Sequence, residues 1–407
     1  MKILIVYAGH DDSTSANGVC VWNIAKELKN RGHEVWAIWQ FKEAVNNEFE
    51  KNGVHCFGIK ESWYYTFTQW HISHRGLLYD LMYKFISLLR LIYILPLFPN
   101  ISPLVTLKCR RMANKIIKLN GIDNVLGIYM PYHAINTTLY LKNKYKDKLK
   151  VVNYHLDLIS SPNNINSIVK NYKIWKGNRA VRRELSLIDL MLLPISAKGA
   201  FKSEKIRFVD FPLFVQNSEI IKSDFVFPTD SINIIYIGSL DKCNRNPSYT
   251  LSLLEKCSHL IPKSIRVHIW GNLADQETKA IIEKFDFVAY HGLLDNIYVQ
   301  DILRRSDYLL NISNFVTYNM IPSKIFQMFS MHKPIINIVR HEGDASLGYF
   351  SKYPNVMIIR EYSNFDFGVQ SLCDFLTKGN LMQIKYNDIL YIESTPSYIC
   401  DYIDGKK

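Results

Sequence analysis

With 407 residues, 48% apolar and 21% charged, the chain has a globular composition and enough length for two cores, which excludes a disordered or fibrous protein. Its seven cysteines (Cys20, Cys56, Cys109, Cys243, Cys257, Cys373, Cys400) are scattered and odd in number, with no CxxC pair, so neither a zinc cluster nor a disulfide framework is indicated. A formal net charge of +12 favours anionic partners, but without a basic arm, zinc finger or ribonucleoprotein motif nothing points to nucleic acid.

The start, MKILIVYAG, passes directly into a strand pattern without a signal-peptide cleavage site, as expected of a chain that stays in a reducing cytoplasm. Lys2 to Tyr7 is a short apolar run closed by Gly9 and reads as a buried parallel strand. After the loop HDDSTSANG, a helix over Val19 to Asn30 puts Val21, Ile24, Ala25 and Leu28 on one face and ends at Gly32. Glu34 to Trp39 is the next strand. A strand, helix and strand within 40 residues form a βαβ unit, the building block of a doubly wound sheet.

One segment departs from that grammar. Gly76 to Phe98 is nearly long enough to cross a bilayer, yet Asp80, Lys84, Ser87 and Arg90 recur at steps of three or four, the pattern of an amphipathic helix. From Leu77 to Asn120, seven Lys or Arg face one acid, Asp80, a net +6 out of the chain's +12. Two readings stand: a core helix with a solvated edge, or docking of residues 77–118 on an anionic membrane surface.

The βα pattern restarts at residue 232. Ile232 to Ile237 is a strand, Gly238 to Pro247 a loop, Ser248 to His259 a helix, and Ile265 to Trp270 a strand that stops at Gly271. Residues 216–231 are polar, aperiodic and Pro-containing, a linker between an N-terminal domain (1–215) and a C-terminal one (232–386). The Tyr-rich end, 387–407, is a candidate helix returning to the first domain.

Ligands of open α/β sheets sit at the carboxyl ends of the strands, so the loops there hold the candidate chemistry. After the first strand, Asn17-Gly18 precede a helix whose free N–H groups favour an anion, with Gly18 allowing close approach. After Ile237 come Gly238, Ser239, Lys242 and Arg245, two cations within reach of a phosphate. The loop is neither a Walker motif nor a GxGxxG fingerprint, so ATPase and dehydrogenase readings lack their usual support. After the strand Tyr308 to Ile312, the loop reaches Pro322, suited to a first helical turn, with Ser323 and Lys324 at its positive end. That helix is apolar nearly all round through Met331, with Gln327 as the exception, before Pro334 opens the strand Ile335 to Val339.

Taken in order, these landmarks resemble a glycosyltransferase of the GT-B fold, most similar to the large retaining family 4. They are the MKILIVY start, Asn17-Gly18, Lys29 to Val35 (KNRGHEV), Gly238-Ser-Leu, Arg245-Asn-Pro247, Trp270-Gly271, His291-Gly292, Ser306-Asp307 and Pro322 to Pro334 (PSKIFQMFSMHKP). The resemblance implies two Rossmann-like doubly wound domains facing a central cleft, the first binding the acceptor and the second a UDP- or GDP-linked sugar, with no cofactor or metal. It implies that Arg245 and Lys242 neutralise the diphosphate and that amides near Pro322 and Ser323 cradle it. Asn319 and Gln327, eight positions apart, stand where the family has two glutamates separated by seven residues, near the donor sugar and the ribose. An amide there loses charge assistance of about 1 kcal/mol per hydrogen bond. His332 replaces the glycine of the family's GKP. His155 and Asp157, in Tyr154-His-Leu-Asp157, occupy the place of a histidine and aspartate facing the transferred sugar. The implied function is retaining sugar transfer, hexosyl in type, to a glycan or lipid-linked oligosaccharide at the inner membrane face. A nucleotide-sugar epimerase and a noncatalytic GT-B scaffold that binds a glycan or partner protein are the alternatives.

Overall fold

The apolar run that opens the chain becomes the middle of a sheet. A computed structural model describes residues 1–10, 16–41, 48–60, 63–74, 76–129, 131–159, 169–215, 221–318, 320–378 and 388–407. They fall into two units, Met1–Pro212 with Glu393–Lys407, and Leu213–Ile392.

In the first unit the elements are β1 (Lys2–His10), α1 (Ala16–Asn30), β2 (Glu34–Phe41), β3 (Glu48–Lys51), β4 (Val54–Lys60), α2 (Trp63–Ser73), α3 (Leu77–Leu97), α4 (Pro103–Asn120), β5 (Asn124–Tyr129), α5 (Tyr132–Tyr145), β6 (Lys150–His155), α6 (Lys170–Leu187), β7 (Leu190–Pro194) and β8 (Ile206–Val209). The strand order is β3-β4-β2-β1-β5-β6-β7-β8, parallel except for the β3–β4 hairpin. Ile3, Leu4, Ile5 and Val6 of β1 have no exposed surface because helices cover both faces of a parallel sheet. Each such side chain contributes about 1.5–3 kcal/mol of burial. The chain leaves β1 on one side and returns on the other, so the topological switch falls between β1 and β5.

The second unit holds β9 (Ser231–Ile237), α7 (Ser248–Ser258), β10 (Ser264–Trp270), α8 (Gln276–Ile282), β11 (Val288–Tyr290), α9 (Asn296–Arg305), β12 (Tyr308–Ile312), α10 (Lys324–Phe329), β13 (Ile335–Val339), α11 (Leu347–Phe350), β14 (Val356–Arg360) and α12 (Phe365–Lys378). Its order, β11-β10-β9-β12-β13-β14, is all parallel and is the doubly wound order of a dinucleotide-type fold, with the switch between β9 and β12. The last helix, α13 (Pro396–Asp404), belongs to the first unit and packs on α1. Arg31, just past α1, donates to Asp401 at 3.0 Å and Asp404 at 2.8 Å, and the Lys150 ammonium donates to the Ile403 carbonyl at 2.8 Å.

Three expectations change. Asn17 and Gly18 lie inside the first turn of α1 rather than before the helix, because β1 runs on to His10 and the helix begins at Ala16. The helix after Pro322 is only six residues long, Lys324–Phe329, and leaves Ser323 at its N-cap. The polar stripe of α3 turns largely to α2, although Asp80 keeps exposed surface and Lys84 faces solvent: Asp80 bonds the His71 ring at 2.8 Å, Ser87 bonds the Tyr64 hydroxyl at 3.0 Å, and the Arg90 guanidinium lies 3.5 Å from the Tyr64 ring, with all three partners on α2. The apolar residues point outward instead. The sequence could not separate these cases, because periodicity identifies the faces of a helix but not the neighbour each one meets.

Candidate functional site

At the switch point of the second unit, the loops after β9 and β12 are knitted together. Gly238 leaves β9 with its N–H bonded to the Trp270 carbonyl at 2.8 Å and its Cα against Tyr236, whose hydroxyl oxygen would stand 2.9 Å from an added Cβ. Gly271, at φ 144°, passes so close that a Cβ there would lie 1.8 Å from the Gly238 carbonyl oxygen. Only glycine permits that approach. The Asp241 carboxylate accepts the Cys243 and Asn244 N–H groups at 2.9 and 2.6 Å, closing a tight turn whose next residue is Arg245.

From the other side of the switch, Asn314 aims Arg245. Its side-chain oxygen accepts Arg245 Nε at 2.7 Å, which leaves the two terminal nitrogens of the guanidinium directed elsewhere. Asn244 accepts the Val316 and Thr317 N–H groups at 2.9 and 3.2 Å, and its carbonyl accepts Arg340 Nη1 at 2.9 Å. Arg340 is itself paired with Glu361 at 2.6 Å. Three strand-end loops are thus held in one arrangement.

Lys324 stands beside Arg245 at the start of α10. It retains exposed surface, yet protein surrounds it densely enough that desolvation, with the Arg245 charge second, lowers its ammonium pKa to about 8. Neither cation has a carboxylate partner among the described residues. The backbone N–H groups of Ser323 and Lys324 also make no hydrogen bond among the described residues. Two adjacent cations without counterions make a site for an anion.

The remaining donor-site expectations divide. Gly238 is buried while Ser239 is exposed, its carbonyl accepting the Tyr236 hydroxyl at 3.0 Å. Lys242 is turned outward to Glu277 at 3.1 Å, which raises its pKa, so it is engaged away from Arg245. Pro322 and Ser323 are half-buried, and so is Gln327, the polar exception on a helix that buries Ile325, Phe326, Met328 and Phe329. Asn319 lies outside the described residues. His332 has φ 55°, the left-handed region where glycine is at ease. That backbone position accounts physically for the glycine of the family motif.

In the first unit, a buried polar chain runs beneath the ends of β5 and β6. Thr138 donates to the Asn153 side-chain oxygen at 2.8 Å, Asn153 donates to Glu184 at 2.7 Å, and the His155 Nε2 meets the same Glu184 oxygen at 2.8 Å. Glu184 comes from α6, and neither it nor His155 has any exposed surface. Gly127 on β5 leaves the room, since a Cβ there would lie 2.5 Å from Asn153 Oδ1 and 2.6 Å from Thr138 Cγ2. His155 is therefore placed to support the strand end; a substrate could reach it only if the surrounding structure opened.

Asp157, two residues on, is different. Its carboxyl is half-buried, forms no hydrogen bond or ion pair among the described residues, and has its pKa raised by desolvation. Its charge in turn helps raise the pKa of Cys20 on α1 and of Tyr129 at the end of β5, though burial is the larger cause for both. Asp157 thus sits by the switch point of its own sheet, near the helix turn that carries the buried Gly18. Sequence reasoning missed Asn314, Asn244, Arg340 and Glu184. Only Glu184 had a signal, as an acid on the otherwise apolar face that α6 buries with Gly177 and Val181.

No protein-family model and no curated protein sequence matches the chain. Solved structures do resemble it over nearly its whole length. TarM matches with a TM-score of 0.61 at 12% identity, covering 99% of this chain and 98% of that one. A protein from Listeria monocytogenes assigned as a UDP-N-acetylglucosamine 2-epimerase matches with a TM-score of 0.54 at 10% identity, covering 100% and 97%. The spinosyn rhamnosyltransferase SpnG matches with a TM-score of 0.50 at 12% identity, covering 100% of both. At these identities the likeness is one of fold. The chain has the GT-B fold, with two Rossmann-like doubly wound domains.

Proposed function

We propose that this chain is a glycosyltransferase that takes a sugar from a UDP- or GDP-linked donor and passes it to a glycan or lipid-linked oligosaccharide in cell-surface polysaccharide synthesis. The observation that carries the reading is the Arg245–Lys324 pair at the switch point of the second unit, two cations without a carboxylate partner among the described residues. A diphosphate supplies the missing negative charge. As the sugar leaves, charge grows on the phosphate oxygen it departs from, and cations already held in place by Asn314 and by α10 stabilise that charge without reorganising. Gln327 is assigned to the ribose and Gly238 to close passage of the backbone past the donor. The first unit is assigned to the acceptor, with Asp157 as the polar group that meets it and His155 with Glu184 as the pair that positions the strand end. Retention of the anomeric configuration, as in family 4, belongs to the same reading. Support comes from the ordered motifs and from the fold shared with the rhamnosyltransferase SpnG.

The test is thermal-shift titration with UDP, GDP and their sugars, beside Arg245→Ala. Stabilisation by one nucleotide, weakened roughly 30-fold or more by loss of a charge-assisted contact of about 2 kcal/mol or above, supports the reading. No stabilisation by any nucleotide favours a noncatalytic scaffold. Slow hydrolysis of the bound donor without acceptor marks a transferase, whereas interconversion of free sugar nucleotides marks an epimerase.

A further inference from the structure

The helical pair α2–α3 is built inside out for a water-soluble protein. The polar groups of α3 are spent on α2: Asp80 on His71, Ser87 and Arg90 on Tyr64, with Tyr83 stacked on the His71 ring at 4.2 Å. The opposite side exposes Leu77, Leu78, Leu81, Phe85, Leu88 and Ile92, with Leu77 82% and Ile92 65% accessible, and Lys84 is the charged residue among them. Scattered exposed leucines need no explanation, but a continuous apolar face on one helix does.

What surrounds that face indicates its partner. The next helix, α4, begins with exposed Leu104 and Leu107 and continues with exposed Lys108, Arg111, Lys115 and Lys118, and its sequence contains no acid. At the far end of α3, the Lys176 ammonium of α6 donates to the Pro96 carbonyl at 2.7 Å, and the same helix exposes Trp175 with the Arg179 guanidinium 5.8 Å from its ring. Apolar residues flanked by cations and an exposed tryptophan match the layers of an anionic bilayer surface, acyl chains beneath charged headgroups with aromatics between them. No helix among the described residues is long and apolar enough to cross a membrane. We infer that α3 and the first turns of α4 lie in the surface of a membrane containing anionic lipid, with the outer face of α3 among the acyl chains and the α4 cations on the headgroups. The inference is independent of the donor site.

The experiment is sedimentation of the full chain with phosphatidylcholine vesicles, with and without phosphatidylglycerol. The wild type is expected to sediment with the phosphatidylglycerol vesicles. The triple variant Leu81→Asp, Phe85→Asp, Leu88→Asp removes apolar insertion and is expected to stay in solution. The triple variant Lys108→Glu, Arg111→Glu, Lys115→Glu is expected to bind about a hundredfold more weakly, from about 1 kcal/mol per cation at the surface. All six positions are exposed, so unchanged thermal unfolding shows that both variants are folded. Failure of the wild type to sediment overturns the inference, as does undiminished binding by the apolar variant. Concentration-dependent self-association that the apolar variant abolishes, without vesicle binding, would assign the face to a second copy of the chain.

Discussion

Lys324 gives the donor-site reading a pH signature. In the free protein its ammonium is held at a pKa of about 8 instead of the usual 10.5, first by desolvation and then by Arg245. A bound diphosphate opposes both effects, so it binds the protonated form. About nine-tenths of Lys324 is charged near pH 7 and about one-tenth near pH 9, so nucleoside diphosphate affinity is expected to fall about tenfold across that range. The diphosphate keeps its charge throughout, because its terminal phosphate has a second pKa near 6, and any ionisation of the base near pH 9 is shared by the Lys324→Arg control. Stability moves the other way. The folded state holds fewer protons than the unfolded state between about pH 8 and 10.5, so the cost of Lys324 is fully present below about 8 and fades as pH rises. Isothermal titration with UDP and GDP across this range measures the first effect. Lys324→Arg, charged at every pH used, should bind with a flat profile. A flat wild-type profile, or the same slope in Lys324→Arg, refutes the reasoning.

Two further outcomes follow from the geometry. Glu184→Ala strands the His155 and Asn153 donors in a site without water access and should cost about 3–5 kcal/mol in urea unfolding, as for breaking other buried pairs; a loss below about 1 kcal/mol would show that the chain Thr138–Asn153–Glu184–His155 is not a unit. Gln327→Glu restores charge assistance and should tighten nucleoside diphosphate binding about fivefold, near 1 kcal/mol for one bond. Unchanged or weaker binding removes α10 from the ribose contact.

Much of the architecture was legible because it depends on runs of adjacent residues. The strands Tyr308–Ile312 and Ile335–Val339 fall where their apolar runs predicted, and Ser248–Ser258 differs from the predicted helix by one residue. Arg245 and Lys324 were picked out in the sequence by their charge, the one in the loop after a strand and the other at the start of a helix. Asn244 and Asn314 were not. An asparagine in a loop is an ordinary turn residue until a partner 70 positions away accepts its hydrogen bond.

The sequence by itself determined that there are two doubly wound domains and where the sheet ends carry positive charge. These are local properties: apolar runs and charge. Only the tertiary structure decided that Lys242 turns away to Glu277 while Arg245 is held by Asn314, that His155 is sealed against Glu184 while Asp157 is left without a partner among the described residues, and that α3 presents its apolar side to solvent. Each of these depends on which distant residue occupies the facing position, and one helix or loop does not carry that information.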